Sequence, residues 1–323
     1  MGASSRVRLC FPGLSAKDFQ HPADVKALEA VKKVKGFDWL TKQIMNLGLE
    51  RIIRMQLLAD SLKVSEEQCP SLWRIYKECC EVLDIDPPPD FFVERNPWPN
   101  AYTTGFTMPV VVITSGLLEV LDEDELRFIL GHELGHYKCG HVLYMTMALY
   151  LSQILATIGQ MTLGIGRLLG TGLELALLAW SRRAEFSADR AGLLAAQNDN
   201  VAIRALMKLA APVEKIWKEV SVEAILRQAE EFEMLSEDKL SKLYKIFYGV
   251  QLTHPWLILR TKEVKNWIES DQYKSILESG VPLGEGRKKR RKKPAKALNV
   301  CPECGAEVEP TDRFCSNCGF KLR

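Results

Sequence analysis

Gly131-His132-Glu133-Leu134-Gly135-His136 sets two imidazoles four residues apart with a carboxylate beside the first. On an α-helix, residues four apart share one face about one turn apart, so His132 and His136 can reach a single zinc ion. The upstream sequence supports that helix, because Asp122 and Glu125 form an acidic start signal of capping-box type ahead of Leu126, Phe128, Ile129 and Leu130. The candidate ligands then lie mid-helix, on a rigid element. Glu133 can take a proton from water that zinc has acidified and return it to a leaving amine, which cleaves a peptide without a covalent intermediate. With five histidines in 323 residues, chance rarely sets two of them around a glutamate in this way, and the motif reads as a zinc peptidase.

A catalytic zinc keeps three protein ligands and leaves one position to water. His141 does not complete an extended motif with a third histidine six residues beyond His136: it falls one residue short, and Cys139 holds the place of that motif's glycine. Arg182-Arg183-Ala184-Glu185-Phe186-Ser187-Ala188-Asp189-Arg190 reads as a second helix with Glu185 and Asp189 four apart on one face. Glu185 suits a ligand, and Asp189 could accept the free ring N–H of a ligating histidine. The same charges are also those of a solvated helix face, and spacing alone leaves both readings open.

These residues carry a family resemblance. The His-Glu-Leu-Gly-His motif is followed by Glu185-x-x-x-Asp189 and then by Thr253-His254-Pro255. It is preceded by Asn100-Ala101-Tyr102-Thr103-Thr104-Gly105 and the apolar run Val110 to Ile113. In that order, over about residues 90–260, the chain resembles the HtpX-like and type I CAAX prenyl protease family of zinc metallopeptidases, which are gluzincins. The resemblance implies a catalytic zinc held by His132, His136 and Glu185, Glu133 as general base, and His254 reaching back to the site. It also implies a role in protein quality control or, as one specialisation, a prenylated substrate; nothing in these residues selects the latter.

On its own chemistry, His254 could donate to the oxyanion that develops in the transition state, or be a loop residue satisfied by backbone beside Pro255. Arg260 could orient a carboxylate of the site. Asn100 to Thr114 reads as a turn leading into a β-strand, with Gly105 and Pro109 as punctuation and β-branched Val110 to Ile113 as the strand. A sheet edge near the zinc would let an extended peptide add itself through main-chain hydrogen bonds, which makes Asn100 and Ala101 candidate substrate-binding residues.

Composition bounds the remainder. Apolar residues make up 47% of the chain, and 43 Lys and Arg balance 41 Asp and Glu, so a sizeable core can form without a strong overall pull toward polyanions. Helical periodicity runs over Pro22–Lys35, Phe37–Lys63 and Glu66–Leu83, stops at Pro87-Pro88-Pro89, and returns at Val201–Glu231, Glu237–Gly249 and Leu257–Ile268. The expected fold is α+β and mostly α, a zincin-type metallopeptidase domain with a small β-sheet, followed by a small four-cysteine zinc ribbon. Residues 1–280 form the helical zinc metallopeptidase domain, 281–297 a basic flexible linker, and 298–323 the ribbon.

No apolar secretory region opens the chain, and Arg6 stands where a myristoylation motif after Gly2 wants Ser or Thr. Nine cysteines, four of them claimed by metal, suit a reducing compartment, so a cytoplasmic location is expected. Val142 to Leu163 contains no charged residue and has the length of a membrane span. Against a span, Thr146, Gln153, Gln160, Arg167 and Glu174 recur every seven residues as one polar stripe. Gly164, Gly166, Gly170 and Gly172 are expected to break residues 142–180 into a helical hairpin, which would serve as a buried pair, an oligomer contact or a membrane-surface contact.

At the other end, Arg287-Lys288-Lys289-Arg290-Arg291-Lys292-Lys293 is a solvated tether that could contact nucleic acid or anionic lipid. Cys301-Pro302-Glu303-Cys304-Gly305 and Cys315-Ser316-Asn317-Cys318-Gly319 form two knuckles. Cys301, Cys304, Cys315 and Cys318 close a tetrahedral structural zinc site with no open position for catalysis, in a module too small to fold without it. Two zinc ions are therefore expected, one catalytic and one structural. The partners expected are a peptide or protein substrate, and a protein or nucleic acid bound by the ribbon and linker. The competing reading is a catalytically silent scaffold or nucleic-acid-binding protein that acts through the ribbon. It predicts a missing catalytic residue, and none is missing.

Overall fold

The computed structural model describes residues 7–34, 37, 41, 49–105, 107–148, 165–235 and 256–285. Strand β1 (Leu9–Cys10) leads to the short helix α1 (Ala16–Phe19) and to α2 (Pro22–Lys32). Helix α3 (Leu49–Asp60) runs into β2 (Ser61–Val64), followed by α4 (Pro70–Val82), β3 (Asp90–Glu94), β4 (Ala101–Thr104) and β5 (Val110–Thr114). The helical half comprises α5 (Ser115–Val120), α6 (Glu123–Lys138), α7 (Ile165–Ala196), α8 (Asp199–Ala210), α9 (Glu214–Trp217), α10 (Val222–Met234), α11 (Leu257–Ile268) and α12 (Asp271–Glu278). The last described strand is β6 (Val281–Pro282).

The main sheet has the order β2-β3-β5-β4, with β3 and β5 parallel and the outer pairs antiparallel. Every residue of β5 is buried, as expected of an apolar run covered on both faces. Phe91, Val111 and Ile113 turn to the main core with Leu130 and Leu134 of α6, whereas Phe92, Val110 and Val112 turn to Leu57 of α3. The alternation follows from the two-residue period of a strand. Three of the sheet's four strands escape the reading from sequence. The helical reading runs on to Lys63 and so covers most of Ser61–Val64, the Phe-rich stretch after the prolines receives no assignment, and Ala101–Thr104, expected as a turn, forms a hairpin with β5.

Helix α6 starts as its sequence predicts. Asp122 accepts from the backbone N–H groups of Asp124 and Glu125, and Glu125 Oε2 accepts in return from Asp122 N–H. Helix α7 is continuous through Gly166, Gly170 and Gly172, so these glycines do not break it; Gly164 and residues 149–163 lie outside the described residues. No described helix is long and apolar enough to cross a membrane. The expected helix Val201–Glu231 is three helices, parted at Ala211-Pro212-Val213 and again before Ser221, as a proline dictates. Strand β6 pairs with β1, which carries the folded chain past position 280.

Helices α6 and α7 approach so closely that side chains at the contact must be small. A Cβ on Gly131 would stand 2.4 Å from Cβ of Ala195, and one on Gly135 would stand 2.6 Å from Cβ of Ala191. Gly131→Ala is therefore expected to destabilise the metal-free protein by about 1–3 kcal/mol through overpacking. The roughly 1 kcal/mol that alanine gains in helix propensity does not offset a contact this short. A lowered urea midpoint checks this; an unchanged or raised one would show that the helices can part without cost.

Candidate active site

His132, Glu133 and His136 lie in the second half of α6, and all three are buried. Their two Nε2 atoms are 3.1 Å apart. From α7, Glu185 brings Oε1 to 3.3 Å from His136 Nε2 and Oε2 to 3.6 Å from His132 Nε2. Among the described residues this is the one group of His, Cys, Asp and Glu side chains placed to hold a metal, its donor atoms within 4.8 Å of one another. Glu185 and Asp189 are each 1% exposed, which excludes the solvated-face reading of their spacing.

The other ring nitrogens decide which way the lone pairs face. His132 Nδ1 is 2.9 Å from Asp189 Oδ1. Burial works against the Asp189 charge, but Arg260 and the bond from His132 outweigh it and hold the carboxyl below its usual range. A carboxylate only accepts, so His132 Nδ1 carries the proton and Nε2 presents a lone pair. His136 Nδ1 lies 3.1 Å from His141 Nδ1, and His141 Nε2 lies 2.9 Å from Asp24 Oδ2. By the same reasoning His141 donates to Asp24 and accepts from His136, whose Nε2 is then also a lone pair; these tautomers are assigned from the network.

Two lone pairs and a carboxylate 3.1–3.6 Å apart repel one another unless a cation lies among them. Donors held at about 2.0–2.1 Å around a tetrahedral zinc are themselves about 3.3 Å apart. The donor set therefore fits zinc in both spacing and chemistry.

Arg260, from α11, binds both carboxylates of α7. Its Nε and Nη2 donate to Asp189 at 2.8 and 2.6 Å, and Nη1 lies 3.0 Å from Glu185 Oε2. Burial disfavours its charge, but Asp189 and Glu185 more than reverse this and push its pKa up. Thr103, on β4, donates from Oγ1 to Glu133 Oε2 at 2.7 Å and lies 3.1 Å from the Glu133 carbonyl. These contacts fix the Glu133 carboxylate against the sheet.

The cluster opens on a cavity of about 1430 Å³, also lined by Asn100 to Thr104, by Ile53 and Leu57 of α3, and by Leu178 of α7. Asn100 and Ala101 thus line the same cavity as His132, Glu133, His136 and Glu185, with Asp189 bonded to the far side of the His132 ring. His254 lies outside the described residues, as do Cys301, Cys304, Cys315 and Cys318. Sequence reasoning missed Asp24 and Thr103 and weighed His141 only as a ligand. The five-residue step from His136 to His141 was the one visible signal, while Asp24 lies 117 residues from its partner.

Such a cluster beside an open cleft is the arrangement of a zinc-dependent metalloprotease, and comparison with known proteins places the chain in that class. The chain belongs to peptidase family M48, which matches residues 66–268. Residues 300–322 match a zinc-ribbon domain. The plastoglobule-localized metallopeptidase 48, chloroplastic, of Arabidopsis thaliana is 35% identical over 273 residues, 84% of this chain and 78% of that protein. Protease HtpX homolog 2 of Methanosarcina mazei is 32% identical over 176 residues, 47% of this chain and 59% of that protein. Among solved structures, S. mikatae Ste24p matches with 20% identity and a TM-score of 0.42, over 75% of this chain and 60% of that one.

Proposed function

We propose that the protein is an endopeptidase that cleaves extended, unfolded segments of other proteins, with His132, His136 and Glu185 as zinc ligands and Glu133 as general base. The observation that carries this reading is the donor triangle of 3.1, 3.3 and 3.6 Å at the floor of a cleft walled by a sheet edge. Zinc held there supplies Lewis acidity that lowers the pKa of water toward neutrality and polarises a carbonyl. Glu133, oriented by Thr103, takes the proton of the attacking water and delivers it to the departing amine. Asp189 fixes the ring of His132, and Arg260 balances the negative charge behind the ligands.

Strand β4 ends the sheet on the cleft side, so a substrate strand can pair through main-chain hydrogen bonds at Ala101, next to Asn100, whose own N–H and carbonyl are bonded to Thr114. Recognition of main chain depends little on side chains and suits protein quality control. His254, which the family resemblance brings back to the site, would donate to the oxyanion that develops in the transition state. Cys301, Cys304, Cys315 and Cys318 would hold a second, structural zinc. The ribbon and the basic run 287–293 would bind a protein or nucleic acid and bring the peptidase to its substrates, and residues 142–180 would contact a membrane surface.

The test is cleavage of casein by the zinc-loaded full chain, by the chain stripped with 1,10-phenanthroline, and by the stripped chain given zinc again. Cleavage that is lost and then restored supports the reading. Cleavage that survives stripping, or none by the zinc-loaded chain, counts against it.

A further inference from the structure

Helix α2 contributes a carboxylate that reaches the metal cluster through an intervening imidazole. Asp24 is fully buried and accepts four hydrogen bonds: from Trp180 Nε1 at 2.8 Å on Oδ1, and from His141 Nε2, Ser187 Oγ and Gln20 Nε2 at 2.9, 2.6 and 3.0 Å on Oδ2. Burial raises its pKa, but these hydrogen bonds, that from His141 foremost, outweigh it, so Asp24 is held well below the usual carboxylate range. A carboxylate wrapped in donors on every side is a fixed negative charge.

His141, also fully buried, joins that charge to α6. The helix ends at Lys138, and Gly140, at φ +70°, turns the chain back, with His141 N–H donating to the His136 carbonyl at 3.0 Å. The turn sets the His141 ring edge-on to the His136 ring, their centroids 5.3 Å apart and their planes at 60°. Each histidine of the cluster is thus backed by its own carboxylate, His132 directly by Asp189 and His136 through His141 by Asp24.

We propose that His141 and Asp24 are positioning residues of the metal centre, forming a relay that fixes His136 with Nε2 toward zinc and raises the basicity of that nitrogen. The proposal rests on the assignment of His136 as a ligand. Carboxylates behind ligating histidines act in this way, and their loss costs metal affinity. Asp24 lies ahead of the family match at residues 66–268, so the N-terminal helix completes a site whose other parts lie within it. Ser187 couples the two, donating to Asp24 while it accepts from His21 N–H at 2.9 Å, and it stands two residues beyond Glu185 on α7.

The experiment measures zinc affinity of the full chain by competition with a chromophoric chelator, and the d–d spectrum of the cobalt-substituted protein. The proteins compared are wild type, Asp24→Asn, His141→Asn and His136→Ala. Asp24→Asn keeps the shape and removes the charge. His141→Asn keeps an acceptor near His136 and cuts the link to Asp24. Both are expected to bind the His136-dependent zinc about 10–100-fold more weakly than wild type, with a shifted cobalt band, while circular dichroism stays that of the folded chain. His136→Ala is expected to lose one equivalent of zinc altogether. Wild-type affinity and spectrum in either folded relay variant overturn the relay and leave the ligand assignment standing. Full zinc stoichiometry in His136→Ala overturns the ligand assignment itself. The two variants lie on separate elements, so failure of one to fold leaves the other to decide.

Discussion

Glu133→Gln is expected to keep zinc and the wild-type unfolding curve while kcat on casein falls by about 10²–10⁴-fold, the usual contribution of a positioned general base. The amide can still accept from Thr103 Oγ1, which in the wild type lies 2.7 Å from Oε2, so the residue stays in place. What it loses is the capacity to take a proton. Because the base acts on the chemical step, kcat carries the loss and KM changes little. Activity within about threefold of wild type would remove Glu133 from the mechanism. A large rise in KM with kcat intact would make it a substrate contact instead.

Arg260→Met is expected to produce the largest stability change, about 3–5 kcal/mol in the metal-free protein, because removing one partner of a buried ion pair leaves the other charge uncompensated. Here two carboxylates are left. Asp189 loses bonds of 2.8 and 2.6 Å, and Glu185 loses a cation at 3.0 Å. Arg260→Lys is expected to recover part of the loss, since a point charge cannot grip Asp189 with two parallel donors. Zinc should narrow the gap, because it neutralises Glu185 from the other side. Urea unfolding of both variants with and without zinc checks this, and equal midpoints for wild type and Arg260→Met without metal would show that the arginine is not needed to balance the pair.

What can be read from the sequence is what is local. The helix of His132 and His136 follows from an acidic start and an apolar run, and both are visible within sixteen residues of chain. Glu185 and Asp189 are readable as a pair but not as a buried pair, because their burial depends on Arg260, 71 residues beyond Asp189. Of the contacts from His136 through His141 to Asp24, the sequence shows only the five-residue step between the two histidines; Asp24 reaches them because α2 docks on α7. Short strands are lost for a related reason. Four residues such as Ser61–Val64 show too few alternations to compete with the helical pattern before them, and only their pairing with β3 makes them a strand. Pro212 is different: the signal is present in the sequence, and periodicity alone overrides it in the helix expected over 201–231.

The two carboxylates of α7 and the arginine that neutralises them also set an order in time. On the ribosome, Glu185 and Asp189 are made well before Arg260, so the growing chain carries the motif of a protease for a long interval without the means to bury it. The charge balance of the site is in this sense a property of the finished chain, since Glu185 and Asp189 wait for a cation that only α11 brings.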